Sequence, residues 1–212
     1  MQATAISPQL IVSLTTPTPE QVHQLFPVTP LANIAANLPH VLAALAAAKL
    51  TDKSMLLMAL ATIRAETEPF LPVTEGESRF NTSPSGQPFD LYDHRSDLGN
   101  LAPPDGANFR GRGFVQLTGH ANYTRYAGEL SLDLVANPTL AATPAIAAQL
   151  LAHFLVNREP AIRRALAVND LAAARRLVNG GTNGLDRFAA AYTAGSRIFA
   201  TLGAPFMTVP SS

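Results

Sequence analysis

The feature that most constrains this fold is an aperiodic segment spanning residues 71–112. Gly, Pro, Ser, Asn and Asp are frequent in it, and the apolar spacing typical of helices disappears. Connections this long are uncommon inside compact domains, and they are usually either functional or disordered. Five aromatic residues within or beside the segment favour an ordered structure: Phe80, Phe89, Tyr92, Phe109 and Phe114. We therefore expect a long structured loop with a functional role and with room for a small β-hairpin.

Helical sequence patterns flank this segment on both sides. Thr18 before Pro19 is typical of a helix start, and the Ala- and Leu-rich stretch that follows Pro39 predicts a second helix. A third helix over 53–67 is capped by Thr51 or Asp52 and must end before Pro69. The other predicted helices cover 121–130, 143–158, 161–168, 170–179 and 185–202. The pattern predicts a mainly α fold.

The composition indicates one soluble globular domain. The chain has 212 residues, of which 47% are apolar and 14% charged, enough for a sizeable core. Its formal net charge of +0 argues against a nucleic-acid-binding protein. The start lacks the features of a secretory signal, and the longest apolar run, 41–50, is about half a membrane span. We expect a monomer without a membrane anchor, with a loose arm at 1–17, one domain at 18–203 and a frayed tail at 204–212.

The sequence contains none of the motifs that are typical of several other protein classes. The chain has no cysteine, which removes disulfides and thiol nucleophiles. Its histidines show no metal-ligand spacing, so we expect no metal site. No G-x-S-x-G motif surrounds a serine, and no Gly-Lys-Ser/Thr motif forms a phosphate loop. A zinc enzyme, a serine hydrolase and a phosphate-binding protein are therefore poor fits.

Glu66 is the first candidate catalytic residue. It falls on the same helix face as Met55, because about eleven residues make three full turns. A carboxylate there loses part of its solvation and lies at the negative end of the helix dipole, and both effects favour its protonated form. A general acid needs that form near neutral pH. The alternative is an ion pair with Arg64 or Arg112, whereas Glu68 falls on the opposite face and should be solvated.

A second carboxylate follows in the loop. Glu75 and Glu77 come after Pro69 and Pro72, so neither continues the helix. A loop carboxylate close to Glu66 would complete an acid–base pair. The alternative is that both are solvated loop charges, and the spacing alone does not separate Glu75 from Glu77.

Three sequence blocks carry a family resemblance. FRGRGFVQLTGHANYTRYA (109–127) is preceded by DLGNLAPPDG (97–106) and followed by LVNGGTNGLDRF (177–188). Taken alone, GRGFVQLTG is typical of a strand with a tight turn, and NGG of a helix C-cap. In this order and approximate spacing, over residues 18–200, they resemble the family 19 glycoside hydrolases, and most closely their bacterial and phage lysozyme-type branch. The resemblance implies a lysozyme-like domain with two lobes and a cleft between them, with 71–119 as one wall.

The resemblance also implies a role for each matching residue. Glu66 matches the general acid, Glu75 the general base that activates water, and Thr118 the hydroxyl residue that helps to hold that water. The residues that match the lining of the sugar cleft are Gln116, Asn122, Tyr123, Asn179 and, more weakly, Arg187. Two positions depart from the family pattern, since Ala65 replaces the histidine before the acid and His120 replaces an arginine.

The activity implied by the resemblance is inverting hydrolysis of β-1,4 bonds between N-acetylated sugars, without a metal or organic cofactor. Peptidoglycan is the expected substrate, which would make the protein a lysozyme or endolysin, and chitin is the alternative. The absence of tryptophan mildly favours peptidoglycan, because chitin sites often stack sugars on indoles. A non-hydrolytic glycan-binding protein is the alternative outside the enzyme class. Since no export signal is visible, we expect synthesis in the cytoplasm and release to the cell wall by a holin, a secretion machine or lysis.

Overall fold

The computed structural model describes residues 16–200, and within this range the chain forms nine α-helices and three short 3-10 helices. The α-helices are α1 (Pro19–His23), α2 (Leu31–Ala47), α3 (Lys53–Glu66), α4 (Asp105–Asn108), α5 (His120–Leu130), α6 (Pro144–Val156), α7 (Glu159–Ala167), α8 (Leu171–Asn179) and α9 (Leu185–Ile198); the 3-10 helices are Asp90–Tyr92, Ser96–Leu98 and Pro138–Ala142. None of these described helices is long and apolar enough to cross a lipid bilayer. The predicted tail at 204–212 and residues 1–15 of the predicted arm lie outside the described range.

Helix α2 is longer than the sequence pattern predicts, because it continues through Pro39. The predicted helix starts after this proline, whereas the observed one begins at Leu31. Proline has no N–H to donate and usually interrupts a helix. Here Pro39 lies on the exposed face, as does Ala35, whose carbonyl would otherwise accept that hydrogen bond. Water can solvate the unpaired carbonyl, while Leu38 and Val41 remain buried on the opposite face.

Helix α3 is the central helix of the core. Asp52 caps its N-terminus by accepting hydrogen bonds from the N–H groups of Ser54 and Met55, and the helix ends at Glu66, close to the predicted position. Every residue from Met55 to Ile63 is buried, so this helix is enclosed on all faces rather than along one stripe. Helix α9 packs against it. Glu66 is therefore carried by a deeply enclosed element.

Two hydrophobic clusters divide the described structure into two lobes. The larger cluster surrounds α3 and includes Leu45 of α2 and Phe188 of α9. The smaller cluster lies around α5 and includes Tyr126 and Leu117. Phe154 of α6 packs against both clusters. The two lobes therefore meet along α6.

The segment 71–119 is ordered, but it does not contain the β-hairpin for which the sequence left room. Two isolated antiparallel bridges, from Arg112 to Thr74 and to Leu117, take its place among the described residues. The chain turns sharply between the bridged positions, where Gly113 has a φ of 82° and Gln116 a φ of 49°. This tight turn ends the pairing before a ladder of regular strand hydrogen bonds can form.

Candidate active site

A cavity of about 220 Å³ opens where the two lobes meet. Residues 115–118 and Leu98 form one wall, and the end of α3 with parts of α6 and α8 forms the other. The apolar lining includes Val178 from the larger cluster and Leu117 from the smaller one. Five of the predicted site residues line this cavity: Glu66, Gln116, Thr118, Asn122 and Asn179. The fold thus brings the end of α3, residues 115–122 and Asn179 together, and Leu98 with residues 115–118 are the parts of the predicted wall segment 71–119 that line the cavity.

Glu66 lines the cavity from the last turn of α3 and is ion-paired. Its Oε1 accepts a hydrogen bond from Nη2 of Arg175 at 2.8 Å. The Glu66 side chain keeps 19% of its exposure, whereas the Arg175 side chain keeps 1%. The sequence-based alternative, an ion pair with a nearby arginine such as Arg64 or Arg112, is therefore confirmed as an ion pair, but the partner is Arg175 of α8. At the C-terminal end of α3, a partly exposed carboxylate is therefore paired with a buried cation from α8.

Glu75 is held by three neutral hydrogen-bond donors. The Tyr92 hydroxyl and the Asn81 amide each donate to its Oε1 at 3.0 Å, and the N–H of Gly111 donates to its Oε2 at 3.0 Å. Burial, reinforced by the charge and hydrogen bond of Glu75, raises the pKa of Tyr92 to about 12. The Tyr92 hydroxyl therefore keeps its proton and remains a donor. Glu77 is exposed instead, so the structure distinguishes the two carboxylates that spacing could not.

Glu75 and Thr118 approach one another across Gly111. A Cβ atom at this glycine would lie 2.8 Å from Gln116 Oε1, 3.1 Å from Glu75 Oε2 and 3.3 Å from Thr118 Oγ1. Any larger residue would crowd these three oxygens, so glycine is what allows them to converge. Three oxygen atoms thus converge beside Gly111, one of them from the Glu75 carboxylate and one from the cavity-lining Thr118.

The backbone of Gln116 is held in the left-handed region, with a φ of 49°. For a residue other than glycine this costs of order 1–3 kcal/mol and is found preferentially at functional sites. Its side-chain amide donates to the carbonyls of Val73 and Gly113 at 3.1 Å each, which anchors the turn. The Thr118 hydroxyl donates to the Gln116 carbonyl at 2.8 Å. The lone pairs of that hydroxyl therefore remain able to accept a hydrogen bond from a water.

Asn122 and Asn179 contribute further polar groups to the cavity lining. The Asn122 amide donates to the Thr118 carbonyl at 2.8 Å, and the Asn179 amide to the Asn183 carbonyl at 3.2 Å. Gly180, with a φ of 72°, ends α8 directly after Asn179. The NGG motif is therefore a helix C-cap, the alternative that its sequence left open, and it also places an asparagine in the cavity.

Tyr123, predicted to line the cleft, lies in the smaller cluster rather than among the cavity-lining residues. It is fully buried. Its hydroxyl accepts a hydrogen bond from Arg112 at 2.9 Å and donates to the Arg110 carbonyl at 3.0 Å. Burial raises the pKa of Tyr123. Through these contacts Tyr123 holds Arg110 and Arg112, the two residues that flank Gly111.

Arg187, also predicted to line the cleft, lies on the other side of the α3 terminus. Its guanidinium donates to the Ala65 carbonyl at 3.1 Å and contacts Glu68 at 3.3 Å. It lines a second cavity between α9 and the segment 24–27 that follows α1. Glu68, which was expected to be solvated, is ion-paired both there and with Arg64 at 2.7 Å. Glu68 thus pairs with Arg64 and Arg187 beside the C-terminus of α3, outside the first cavity.

The histidines take no part in a metal cluster among residues 16–200, where no three His, Asp or Glu side chains are arranged to hold an ion. His120, which departs from the family pattern, stacks on Phe109 with ring centroids 4.5 Å apart. His94 approaches the Leu101 carbonyl through its Nδ1 at 3.1 Å. His120 therefore packs against the smaller lobe.

Sequence reasoning missed three residues that contact the two carboxylates, namely Arg175, Asn81 and Tyr92. Arg175 precedes Asn179 by one turn of α8, so the two side chains lie on the same helix face. Because Asn179 was predicted to line the cleft, this spacing could have identified Arg175. Asn81 and Tyr92 lie in the aperiodic segment. No periodicity relates positions there to Glu75, so only the folded structure brings these side chains together.

Comparison with known sequences gives one partial likeness to a chitinase. Chitinase 8 of rice (Oryza sativa subsp. japonica) is 35% identical over 85 residues, which cover 40% of this chain and 31% of the rice protein. The chain thus matches less than two thirds of that relative's length. No family model matches the chain.

Comparison with solved structures identifies the fold. Chitinase C from Streptomyces griseus HUT6037 superposes with a TM-score of 0.55 at 22% identity, over 92% of this chain and 78% of that one. A bacterial family 19 chitinase superposes with a TM-score of 0.57 at 21% identity, over 92% of this chain and 98% of that one. The fold is therefore that of the family 19 chitinases, and the predicted mainly α, lysozyme-like class is confirmed.

Proposed function

We propose that the protein is a glycoside hydrolase that cleaves β-1,4 bonds in polymers containing N-acetylglucosamine. The observation that carries this proposal is a pair of carboxylates with different hydrogen-bond partners, one in the cavity and one beside it. Glu66 lines the cavity from the core helix, and Glu75, which is not among the cavity-lining residues, approaches the lining residue Thr118 beside Gly111. Two carboxyl groups that flank a bond, with space for a water, are the requirement of an inverting glycosidase.

In the proposed reaction Glu66 donates a proton to the glycosidic oxygen as the bond to the anomeric carbon breaks. Glu75 removes a proton from a water as the oxygen of that water attacks the anomeric carbon from the opposite face. Thr118 accepts the second hydrogen of the water through its free lone pairs, because its own proton is donated to Gln116. The products are two shorter glycans, and the proton taken up by Glu75 returns through solvent to Glu66.

Chitin is the first substrate of this proposal. The rice relative and the structures that share the fold are all named chitinases. The polar cavity lining of amide and hydroxyl groups suits acetamido sugars, which offer both a donor and an acceptor.

Peptidoglycan is the second substrate, and the sequence-level resemblance of GRGFVQLTG and NGGTNG to the lysozyme-type branch favours it. Its alternating sugars carry the same acetamido groups and the same β-1,4 linkage. Assignment to a lysozyme or endolysin therefore depends on which polymer is cleaved.

Mass spectrometry of products from chitin oligosaccharides and from purified peptidoglycan tests the proposal, with Glu66→Gln as the matched inactive control. Cleaved chitin oligosaccharides support a chitinase. New reducing ends in peptidoglycan support a lysozyme-type enzyme, with muramic acid at that end in a muramidase and glucosamine in a glucosaminidase. Binding of either polymer without any product would instead identify a non-hydrolytic glycan-binding protein and would reject hydrolysis.

A further inference from the structure

Arg175 is a buried cation at the proposed active site. Its side chain is 1% exposed, yet it reaches Glu66 Oε1 through Nη2 at 2.8 Å. The same guanidinium donates to the Asn183 carbonyl from Nε at 3.0 Å and from Nη2 at 2.7 Å. Its Nη1 is buried without a hydrogen-bond partner among the described residues. A buried charge is tolerated only when well paired, so these contacts fix its position.

The contacts of Arg175 join three elements. Glu66 ends α3, Arg175 lies within α8, and Asn183 belongs to the turn between α8 and α9. That turn packs directly on α3, since a Cβ at Gly184 would lie 3.2 Å from both the Cβ and the carbonyl oxygen of Ala65. The Asn183 carbonyl also accepts the amide of Asn179. One guanidinium thus links the proposed acid to the turn whose carbonyl also binds the cavity-lining Asn179.

Only one oxygen of the Glu66 carboxyl group is engaged by the residues that the structure describes. Arg175 donates to Oε1, which leaves Oε2 to carry a proton. A protonated carboxyl group still has a carbonyl oxygen that accepts hydrogen bonds. The contact with Arg175 can therefore persist in both protonation states, and the guanidinium can orient Glu66 throughout the reaction.

We propose that Arg175 is the positioning residue of this active site, which aims the Glu66 carboxyl group at the glycosidic oxygen and fixes the α8–α9 turn beside it. This inference rests on the proposed function and names how its acid is oriented. Ala65, directly before the acid, has no side-chain group that could do so, and Arg187 donates instead to the Ala65 carbonyl and to the Glu68 carboxylate. The orientation of Glu66 thus depends on a residue more than a hundred positions later in the chain.

Arg163 provides a matched control for Arg175. It ion-pairs with Asp52 at 2.7 Å, at the other end of the same helix α3. Both arginines therefore bind a carboxylate at a terminus of α3, but only Arg175 contacts a cavity-lining residue. Substituting each by alanine separates a general effect on α3 from an effect on the acid.

The experiment measures kcat and KM of Arg175→Ala, Arg175→Gln, Arg175→Lys and Arg163→Ala on the glycan that the wild type cleaves. We expect Arg175→Ala to lower kcat by about 10²-fold, the effect of a misplaced catalytic group, with KM nearly unchanged. Arg175→Lys should be intermediate, since one ammonium group cannot bind Glu66 and Asn183 as the guanidinium does. Millimolar guanidinium should restore kcat in Arg175→Ala, because it can occupy the vacated space, and should not affect Arg163→Ala.

Each outcome decides the proposal. Circular dichroism identifies the variants that fold, and Arg175→Gln and Arg175→Lys provide the test if Arg175→Ala does not. A folded Arg175 variant with wild-type kcat, a loss confined to KM, or a loss equal to that of Arg163→Ala would overturn the positioning role. A wild-type protein that cleaves no glycan would instead overturn the proposed function, and with it this proposal; it is recognised before any variant is compared.

Discussion

At the scale of single residues, the two carboxylates are held by different kinds of partner. Glu66 contacts one buried cation, Arg175, through a single oxygen. Glu75 accepts hydrogen bonds from neutral donors on both oxygens, among them the hydroxyl of Tyr92. A residue that gives up a proton needs one free oxygen, whereas a base benefits from a rigid orientation toward its water. Glu66 therefore keeps one oxygen outside its ion pair, whereas Glu75 is oriented through both of its oxygens.

Replacing Glu66 by glutamine tests the acid directly. The change is nearly isosteric and deletes the donated proton, so we expect the fold to persist and activity to fall by about 10²–10⁴-fold. Glu68→Gln, two positions away and outside the cavity lining, is the control and should retain activity. Cell-wall or chitin hydrolysis by the two purified variants is the measurement. Equal activities would show that the acid is misassigned.

Gly111→Ala tests the convergence of oxygens around this glycine. The added methyl group would stand 2.8–3.3 Å from Gln116, Glu75 and Thr118. We expect stability to fall by about 1–3 kcal/mol from overpacking and kcat to fall by about 10²-fold from displaced groups. Gly128→Ala is the control, because nothing lies within 4 Å of its added Cβ. Urea unfolding and glycan turnover separate the two effects, and an active Gly111→Ala would reject the proposed water site.

Five of the residues predicted from motif matches line the cavity, whereas Glu75, Tyr123 and Arg187, predicted in the same way, are not among its lining residues. Glu66 was found because it ends a helix whose register is readable, and Thr118 because it belongs to the QLTG block. Asn81 was missed because an asparagine in a Gly- and Pro-rich segment normally indicates a turn. Its burial against Glu75 depends on how the loop folds back on itself, and that depends on contacts distant in sequence.

At the scale of elements, the carboxylate that caps the N-terminus of α3 makes the stability of the protein depend on pH. Burial raises the pKa of Asp52, but the hydrogen bond and charge of Arg163, with backbone N–H donors, outweigh burial and hold it below its ordinary value. A lowered pKa in the folded state stabilises the protein above the unfolded value of about 4. That stabilisation is lost as the pH falls through the folded-state value, because protonation removes the negative charge that Arg163 binds.

Asp52→Asn measures this coupling. Asparagine is as good an N-cap as aspartate, so the substitution removes the charge and keeps the cap. We expect the variant to be about 0.2–1 kcal/mol less stable at pH 7, the range for an ion pair that is partly exposed to solvent, and the difference to vanish at pH values well below 4. Urea unfolding over this pH range is the measurement. A difference that stays constant with pH would exclude the ion pair as its source.

Helix boundaries were predictable where local chemistry decides them. Asp52 and Pro69 bracket α3 because a cap and a missing N–H act within a few residues. Pro39 misled the prediction for α2, because tolerance of an internal proline depends on which face meets water. Exposure is a property of the tertiary structure, so the start of α2 at Leu31 could not be read from propensity.

At the scale of the whole molecule, the two proposed catalytic carboxylates come from different parts of the fold. Glu66 ends a core helix, while Glu75 belongs to the long loop and accepts a hydrogen bond from Gly111. A separation of about 6.5–9.5 Å admits a water and leads to inversion, against about 5–5.5 Å in retaining enzymes. We expect inversion, no covalent glycosyl-enzyme, and a larger loss from Glu75→Gln than from Glu77→Gln. Proton NMR of the first products from a soluble oligosaccharide should detect the α-anomer, and initial accumulation of the β-anomer would overturn this mechanism.

The enclosure of α3 also has a consequence for how the protein responds to warming. Backbone amides in a fully buried helix open only when the whole domain opens, whereas an exposed loop opens on its own at lower free energy. Met55 to Ile63 should therefore exchange their amide hydrogens at the rate of global unfolding, and residues around Gly76 and Phe80 much earlier. Glu66 would then keep its position, while Glu75 would move away from the water that it is proposed to activate. We expect hydrolysis to decline, reversibly, at temperatures where circular dichroism still reports intact helices; coincident loss of both signals would refute this order.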